Sequence, residues 1–250
     1  MNDKNPIQVS VKLFKTIELL AEKGALSLTE ISNYLDLNKS TVHRILNSLI
    51  FMNYVKQEEK TLKYGLSFKL CNLASKFLAH NDMISIIHPY LIDLANKTNE
   101  TVHLVERYDT MAIYIDKVET SKNSIRLYST IGKSIPLYCS GVGKAILAEK
   151  TKEELLEIWN KSEINKITDK TITSFNEFEI KIKEAQENGY ACDIEENEIG
   201  VHCVGIYIDV PNKEYAISIS APKERLDENM IKIYGKYLLE IKEKLEKELS

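Results

Sequence analysis

Apolar residues recur at helical spacing in three short stretches at the start of the chain. Leu13, Ile17 and Leu20, with Phe14 and Ala21, mark one face of a first helix over residues 11–22, and Gly24 is placed to stop it. In "SLTEISNYL", Leu28, Ile31 and Leu35 give a second helix its buried face. Ser27 and Glu30 there have the spacing of a capping box. After Asp36-Leu37-Asn38, the stretch "KSTVHRILNSL" places Val42, Ile45, Leu46 and Leu49 on one side of a third helix, with Asn38 as its expected N-cap. Two short helices joined by so tight a turn cross steeply, which is the helix-turn-helix arrangement.

The periodicity then changes. "YVKQEEKTLKYGLS" alternates around a charged turn at Glu58-Glu59-Lys60, with Leu62, Tyr64 and Leu66 on one face, and predicts a hairpin of roughly two five-residue strands. A hairpin directly after such a helix is a wing. In residues 67–82, Leu70, Leu73, Ala74, Phe77 and Leu78 return to helical spacing and predict a linker helix. Pro89 is expected to break the chain within the next helix, residues 84–97. From Thr101 the pattern is mainly strand. "TVHLVERY" and "MAIYIDKV" form a hairpin about Asp109-Thr110, "SIRLYST" reads as a further strand, and "VHCVGIYIDV" and "EYAISISA" form a hairpin about Pro211-Asn212-Lys213. Helices are expected over residues 141–149, 152–160 and 174–188. The last has a capping box from Ser174 and Glu177 and a stop at Gly189; a final helix over 227–248 carries Met230, Ile233 or Tyr234, Tyr237 and Ile241. The fold class is therefore α+β, an antiparallel sheet backed by helices behind a winged helix-turn-helix. The expected domains are residues 1–66, a linker over 67–82, and 83–250.

Composition narrows the classes. With 28% charged and 44% hydrophobic residues, the chain has the balance of a soluble globular protein. No run approaches the ~18 apolar residues of a membrane span, and no signal peptide is expected at the N-terminus. The four cysteines, Cys71, Cys139, Cys192 and Cys203, lie far apart and read as reduced thiols of a cytoplasmic protein. The net charge of −4 is unevenly spread. Residues 1–69 hold ten Lys and Arg against seven Asp and Glu, and the remainder holds 23 against 30. The basic end is the one with the helix-turn-helix.

The chemistry follows the pattern. Lys39, Ser40, Thr41, His43, Arg44 and Asn47 occupy the polar side of the third helix, where groups of these types grip phosphates or read base edges in a major groove. Lys60 and Lys63 on the wing are candidates for phosphate contacts. The same helical unit also serves as a protein-interaction module, and Glu58 and Glu59 count modestly against DNA. In the second half, "CSGVGKAILA" starts a helix at glycines, exposing backbone N–H groups, and Ser218 and Ser220 face one side of a strand. Packing alone is the other reading of those glycines. Cys139 or Cys203 with His103 or His202 could form a nucleophile–base pair or a metal site. However, H-x-x-x-H, C-x-x-C and G-x-S-x-G spacings are missing, and a cysteine on an apolar strand is ordinarily a small core residue. Neither a cofactor nor a metal is expected.

From "SLTEISNYLDLNKSTVHRILNSLIFMNYV" through "TVHLVERYDTMAIYIDKVET", "GKSIPLYCSGVGKAILA", "ITDKTIT", "GYACDIEENEIGVHCVGIYI" and "AISISAP", the chain closely resembles the isocitrate-lyase-regulator (IclR) family of bacterial transcription factors, over roughly residues 9–245. The resemblance implies a regulator of the repressor kind that binds operator DNA as a dimer or dimer of dimers and is controlled by a small organic acid in a GAF-like effector domain. It assigns the effector pocket to Gly141, Val142, Asp193, Cys203, Ser218 and Ser220, with Leu137 and Val201 as apolar wall. Val142 stands where a smaller residue is common in the family. The segment "RLYSTIGKSIPLYCSGVGKAILA" is most similar to members sensing sugar acids such as 2-keto-3-deoxygluconate.

Overall fold

The computed structural model describes residues 5–80, 82–120 and 129–249. The chain divides into two compact units, residues 1–81 and 82–250.

In the first unit, α1 (Gln8–Lys23), α2 (Leu28–Leu35) and α3 (Lys39–Phe51) pack around Leu20, Leu26, Ile31, Val42, Ile45, Leu46 and Leu49. The first helix starts earlier than its apolar stripe indicates, and Phe14 and Ala21 face solvent. The α2 capping box forms as expected: the Glu30 amide donates to Ser27 Oγ at 3.3 Å and the Ser27 amide to Glu30 Oε2 at 2.7 Å. Asp36 turns the chain in the left-handed region at φ 50°. Asn38 holds the N-cap position without a side-chain cap; the Thr41 and Val42 amides donate instead to its backbone carbonyl. The wing is shorter than the alternation indicates. Strands β1 (Val55–Gln57) and β2 (Tyr64–Leu66) have three residues each. Residues 58–63 form a wider tip, where Glu58 and Lys63 are bonded through the backbone and Leu62, at φ 56°, points to solvent and not along the Tyr64 face. Helix α4 (Lys69–Ala79) follows and buries none of its residues.

The second unit begins with α5 (Asp82–Thr98), which runs through Pro89 without ending. A proline there loses one helical bond, but Ile87 before it and Leu91, Leu94 and Ala95 after it are all buried in one core, which holds both halves in line. Then come β3 (Thr101–Tyr108), β4 (Met111–Val118), β5 (Ser134–Pro136), α6 (Gly141–Leu147), α7 (Lys152–Lys161), α8 (Phe175–Asn188), β6 (Ala191–Ile194), β7 (Val201–Val210), β8 (Lys213–Pro222) and α9 (Glu228–Leu249). The six strands form one antiparallel sheet in the order β5-β4-β3-β8-β7-β6. The pattern revealed neither β5 nor β6, and the strand expected in "SIRLYST" falls largely outside the described residues. Ser174 sits at the α8 N-cap but forms no side-chain cap, so the expected capping box is not made; Gly189 ends the helix at φ 74°.

Alternating strand residues feed two cores, one on each face of the sheet. Leu104, Val204, Ile206, Ile208, Ile217 and Ile219 meet α5 and α9, where Tyr234, Leu238, Ile241 and Leu245 point inward while Ile233 is exposed. Val105, Ala112, Tyr114 and Ala216 face Val142, Ile146, Leu155, Phe178 and Ile182 of the other three helices. A bulge between Leu104 and Val105 shifts the β3–β4 register.

Candidate functional site

On α3 the burial splits as the pattern requires. Val42, Ile45, Leu46 and Leu49 are buried, while Lys39, Ser40, His43, Arg44 and Asn47 are exposed and Thr41 is half-buried. Asn47 Nδ2 lies 3.3 Å from His43 Nδ1, one turn apart, so the two form a single polar patch. On the wing, Lys60 is exposed and Lys63 half-buried. The Glu58 carboxylate accepts from Thr61 Oγ1 at 2.5 Å within the wing tip.

The second unit holds a narrow cleft on the α6 side of the sheet, with about 40 Å³ open to the centres of water-sized molecules. Strand register builds its floor. Asp193 pairs with Cys203, Cys203 with Ser220, Gly205 with Ser218 and Ser218 with His103, so four strands align these side chains in two adjacent rows. Helix α6 closes the cleft from above. A Cβ on Gly205 would fall 2.9 Å from Gly141 C and Val142 N, and one on Gly143 would fall 2.2 Å from the Leu137 carbonyl oxygen. Only glycine lets the helix start lie directly on the sheet. Ser140 caps α6, accepting from the Gly143 amide at 3.1 Å and donating to the Pro136 carbonyl at 2.8 Å. Tight packing is what carries Gly141 and Val142 into the cleft, while the Gly143 and Lys144 amides are taken up by Ser140.

Gly141, Val142, Asp193, Val201, Cys203, Ser218 and Ser220 all line this cleft. Leu137 does not: it is fully buried in the core beneath α7 and α8, with its backbone against Gly143. The sequence reading omitted His103 and Tyr114 from the lining, as well as Ser129, Lys133, Asn197 and Glu198. His103 and Tyr114 were recoverable only from the strand register. Asn197 and Glu198 sit in the turn after β6, which carries no periodic signal.

Burial sets the charges. Desolvation, aided by the Lys117 ammonium, lowers His103 to about 3, so its imidazole is neutral; Nε2 lies 2.7 Å from Ser129 Oγ and Nδ1 3.5 Å from Ser220 Oγ. Cys203 is raised to about 12 by burial and by the Asp193 carboxylate, and it accepts from Ser220 Oγ at 3.2 Å. Burial likewise keeps the Tyr114 phenol protonated. Asp193 is raised to about 7, first by desolvation and then by Glu196, against the pull of Lys144 and of the Glu196 and Asn197 amides that donate to Oδ1 at 2.7 and 3.4 Å. The cleft therefore presents hydroxyl and thiol donors, a neutral imidazole and a carboxyl near its titration point. A nucleophile–base pair needs a thiol whose proton the imidazole can take, and with Cys203 raised to about 12 and His103 lowered to about 3 that transfer is strongly uphill. His202 is committed elsewhere, its Nδ1 2.7 Å from the Leu226 carbonyl. Among the described residues no group of three His, Cys, Asp or Glu is arranged to hold a metal ion, and no helix is long and apolar enough to cross a membrane.

Comparison with known proteins agrees with this organisation. Residues 11–59 match the IclR helix-turn-helix domain, and residues 75–247 match the bacterial transcriptional regulator IclR C-terminal domain. The HTH-type transcriptional regulator KdgR of Escherichia coli K12 is 34% identical over 236 residues, 93% of this chain and 89% of that protein. The transcriptional repressor IclR of the same organism is 28% identical over 234 residues, 92% of this chain and 85% of that protein. The crystal structure of the Thermotoga maritima IclR protein superposes with a TM-score of 0.74 at 31% identity, covering 96% of this chain and 98% of that one. With the two domain models together matching most of the chain and the KdgR relative 34% identical across 93% of it, the chain belongs to the IclR family of DNA-binding transcriptional regulators.

Proposed function

We propose that this regulator is a repressor whose grip on operator DNA is set by a small organic acid bound in the cleft between α6 and the sheet. The observation that carries the reading is the cleft itself, lined by Ser218, Ser220, Cys203 and Tyr114 together with a carboxyl, Asp193, that burial raises to about 7. Polar atoms of this kind, fixed by strand register, orient a ligand with several oxygens. A sugar acid such as 2-keto-3-deoxygluconate is the proposed effector class, on the likeness of residues 126–148 to sugar-acid-sensing members and on the 34% identity with the KdgR regulator.

On the DNA side, Ser40, Thr41 and Arg44 lie nearest the major groove, flanked by His43 and Asn47 and with Lys39 at the helix start, and Lys60 and Lys63 neutralise phosphates beside it. The protein acts as a homo-oligomer in the cytoplasm, two copies presenting paired α3 helices to a pseudo-palindromic site. The amphipathic α4, with Leu73 and Phe77 exposed, Phe68 exposed at its N-cap and no helix residue buried, supports this as a surface that a second copy covers. For the acid to regulate, it must favour one arrangement of the DNA-binding pair over another. The test is a thermal-shift screen of the full chain against keto, aromatic and sugar acids, followed by operator binding with and without each hit. A sugar acid should raise the melting temperature with its concentration and weaken operator binding. If no acid shifts the wild type, or if Ser218→Ala/Ser220→Ala responds as the wild type does, the assignment of the cleft is wrong.

A further inference from the structure

The proposed function uses Asp193 but not the buried ion pair behind it. Lys144 is 1% exposed and Glu196 6%, and neither lines the cleft. The Lys144 ammonium bonds the Glu196 carboxylate, and the Glu196 backbone amide donates to Asp193 Oδ1 at 2.7 Å. Lys144 belongs to the turn of α6 that follows Gly141 and Val142. The pair thus ties the helix on one wall of the cleft to the carboxyl on the other. The turn after β6 that carries Glu196 is fixed from outside: Thr168 Oγ1 donates to the Glu195 carbonyl at 2.6 Å, Thr171 Oγ1 donates to the Glu196 carbonyl at 2.6 Å, and the Lys170 and Lys223 ammoniums hold the Glu195 carboxylate. This gives the "ITDKTIT" segment, which contributes no residue to the cleft, a structural task.

A lysine and a glutamate buried together are costly to desolvate. A leucine and a glutamine would fill such a site at less cost if packing were the whole of their task. We propose that Lys144 and Glu196 are positioning residues that set the charge on Asp193 from outside the cleft, and so set the range of pH over which the cleft accepts an anionic ligand. The proposal rests on the reading of the cleft as an acid site. Lys144 favours the carboxylate form of Asp193; Glu196, with the low-dielectric surroundings, favours the neutral acid. The other groups facing Asp193 do not decide the matter. Cys203 on β7, Cys139 before α6 and Tyr114 on β4 are protonated near neutrality, and His103 on β3 is uncharged. Lys133 and Glu198 face the cleft with opposite charges. A neutral Asp193 donates a hydrogen bond to an incoming carboxylate, whereas an ionised one repels it. Binding then takes up a proton, and affinity falls about tenfold per pH unit above the Asp193 midpoint.

The test is made on the full-length protein without ligand. Aspartate carboxyls are labelled with carbon-13, Asp193 is assigned by the signal that disappears in Asp193→Asn, and its titration is followed in wild type, Lys144→Met and Glu196→Gln. The expected midpoint is near 7 in wild type. Lys144→Met should raise it and Glu196→Gln lower it, each by about one unit or more. Opposite displacements are the signature, because loosened packing moves both variants the same way. Midpoints that stay fixed, or that move in one direction, overturn the proposal. If Lys144→Met does not fold, Lys144→Gln, which keeps a donor to Glu196 without the charge, takes its place, and the same upward displacement is expected. Calorimetric titration with 2-keto-3-deoxygluconate from pH 6 to 9 supplies the second readout, and the pH at which affinity begins to fall should follow the carboxyl midpoint. If that acid binds at no pH, the effector reading fails while the carboxyl titration still decides this one.

Discussion

Gly205→Ala gives the sharpest test of how the cleft is built. The substitution adds one methyl group on β7, where the Cβ would stand 2.9 Å from Gly141 C and Val142 N. Ordinary separation between such atoms is about 3.5–4.0 Å, so the start of α6 must retreat by roughly half an ångström or more. All seven residues of α6 are buried, which leaves no exposed side chain to absorb the movement. Overpacking of this kind costs about 1–3 kcal/mol. In a unit of this size that lowers the melting temperature by roughly 2–10 °C. Because Gly141 and Val142 line the cleft, the same shift opens the wall opposite Asp193, and the response to acid should fall by more than stability does. The measurement pairs a melting curve with operator binding in the presence and absence of the effector. The expected variant is modestly destabilised, still binds DNA and responds weakly to the acid. A Gly205→Ala protein with unchanged melting and an unchanged ligand response would refute the claim that glycine is required here for helix-on-sheet packing.

Arg44→Ala should reduce operator affinity by about 1–3 kcal/mol and relax preference at one base position, measured by mobility shift over a panel of operator variants; equal affinity for all of them would remove Arg44 from the groove. Lys60→Ala and Lys63→Ala should weaken binding to every sequence alike and flatten the salt dependence by close to one unit of slope for each phosphate no longer neutralised. Asp193→Asn tests the buried carboxyl through stability. Because the folded carboxyl sits near 7 and the unfolded one near 3.8, the native state holds the extra proton between those values, and the stability contributed by this group is lost as pH rises through that window. The Asp193→Asn variant, whose amide oxygen still accepts from Glu196, should therefore gain stability relative to wild type from pH 4 to pH 8 in denaturant titrations. A constant difference across that range would place Asp193 at an ordinary value.

What the sequence revealed, and what it hid, divides along the difference between local and long-range order. The helix-turn-helix was legible because helical spacing, the Ser27–Glu30 capping box and the three-residue turn are local facts, and each appears as expected in α2 and α3. The wing was misjudged in length for a related reason. Alternation continued through Leu62, but the Glu58–Lys63 tip puts Leu62 at φ 56° and breaks the strand there, which no period-two pattern can announce. Pro89 shows the reverse case, where a local breaker is overridden because buried residues flank it on both sides.

The cleft needed more than periodicity. Ser218 and Ser220 share a face by simple alternation, yet their meeting with His103, Cys203 and Asp193 depends on the register of β3, β6, β7 and β8, which brings together residues as distant in sequence as His103 and Ser220, 117 positions apart. Leu137 failed as a wall residue for the same reason. Its place in sequence, just ahead of the glycine turn, suits a lining residue, but Gly143 packs on its backbone and turns the side chain into the core. Lys144 was the least legible of all. Inside an apolar helix a lone lysine ordinarily reads as a solvent-facing position, and only the burial of its partner Glu196, 52 residues later, shows that the charge is held indoors. A desolvated ion pair is worth little as a source of stability. On the proposal made above its role is to set the charge of the neighbouring Asp193 carboxyl, whose pKa Lys144 lowers and Glu196 raises, so the two substitutions that leave that carboxyl untouched are the ones expected to move it in opposite directions.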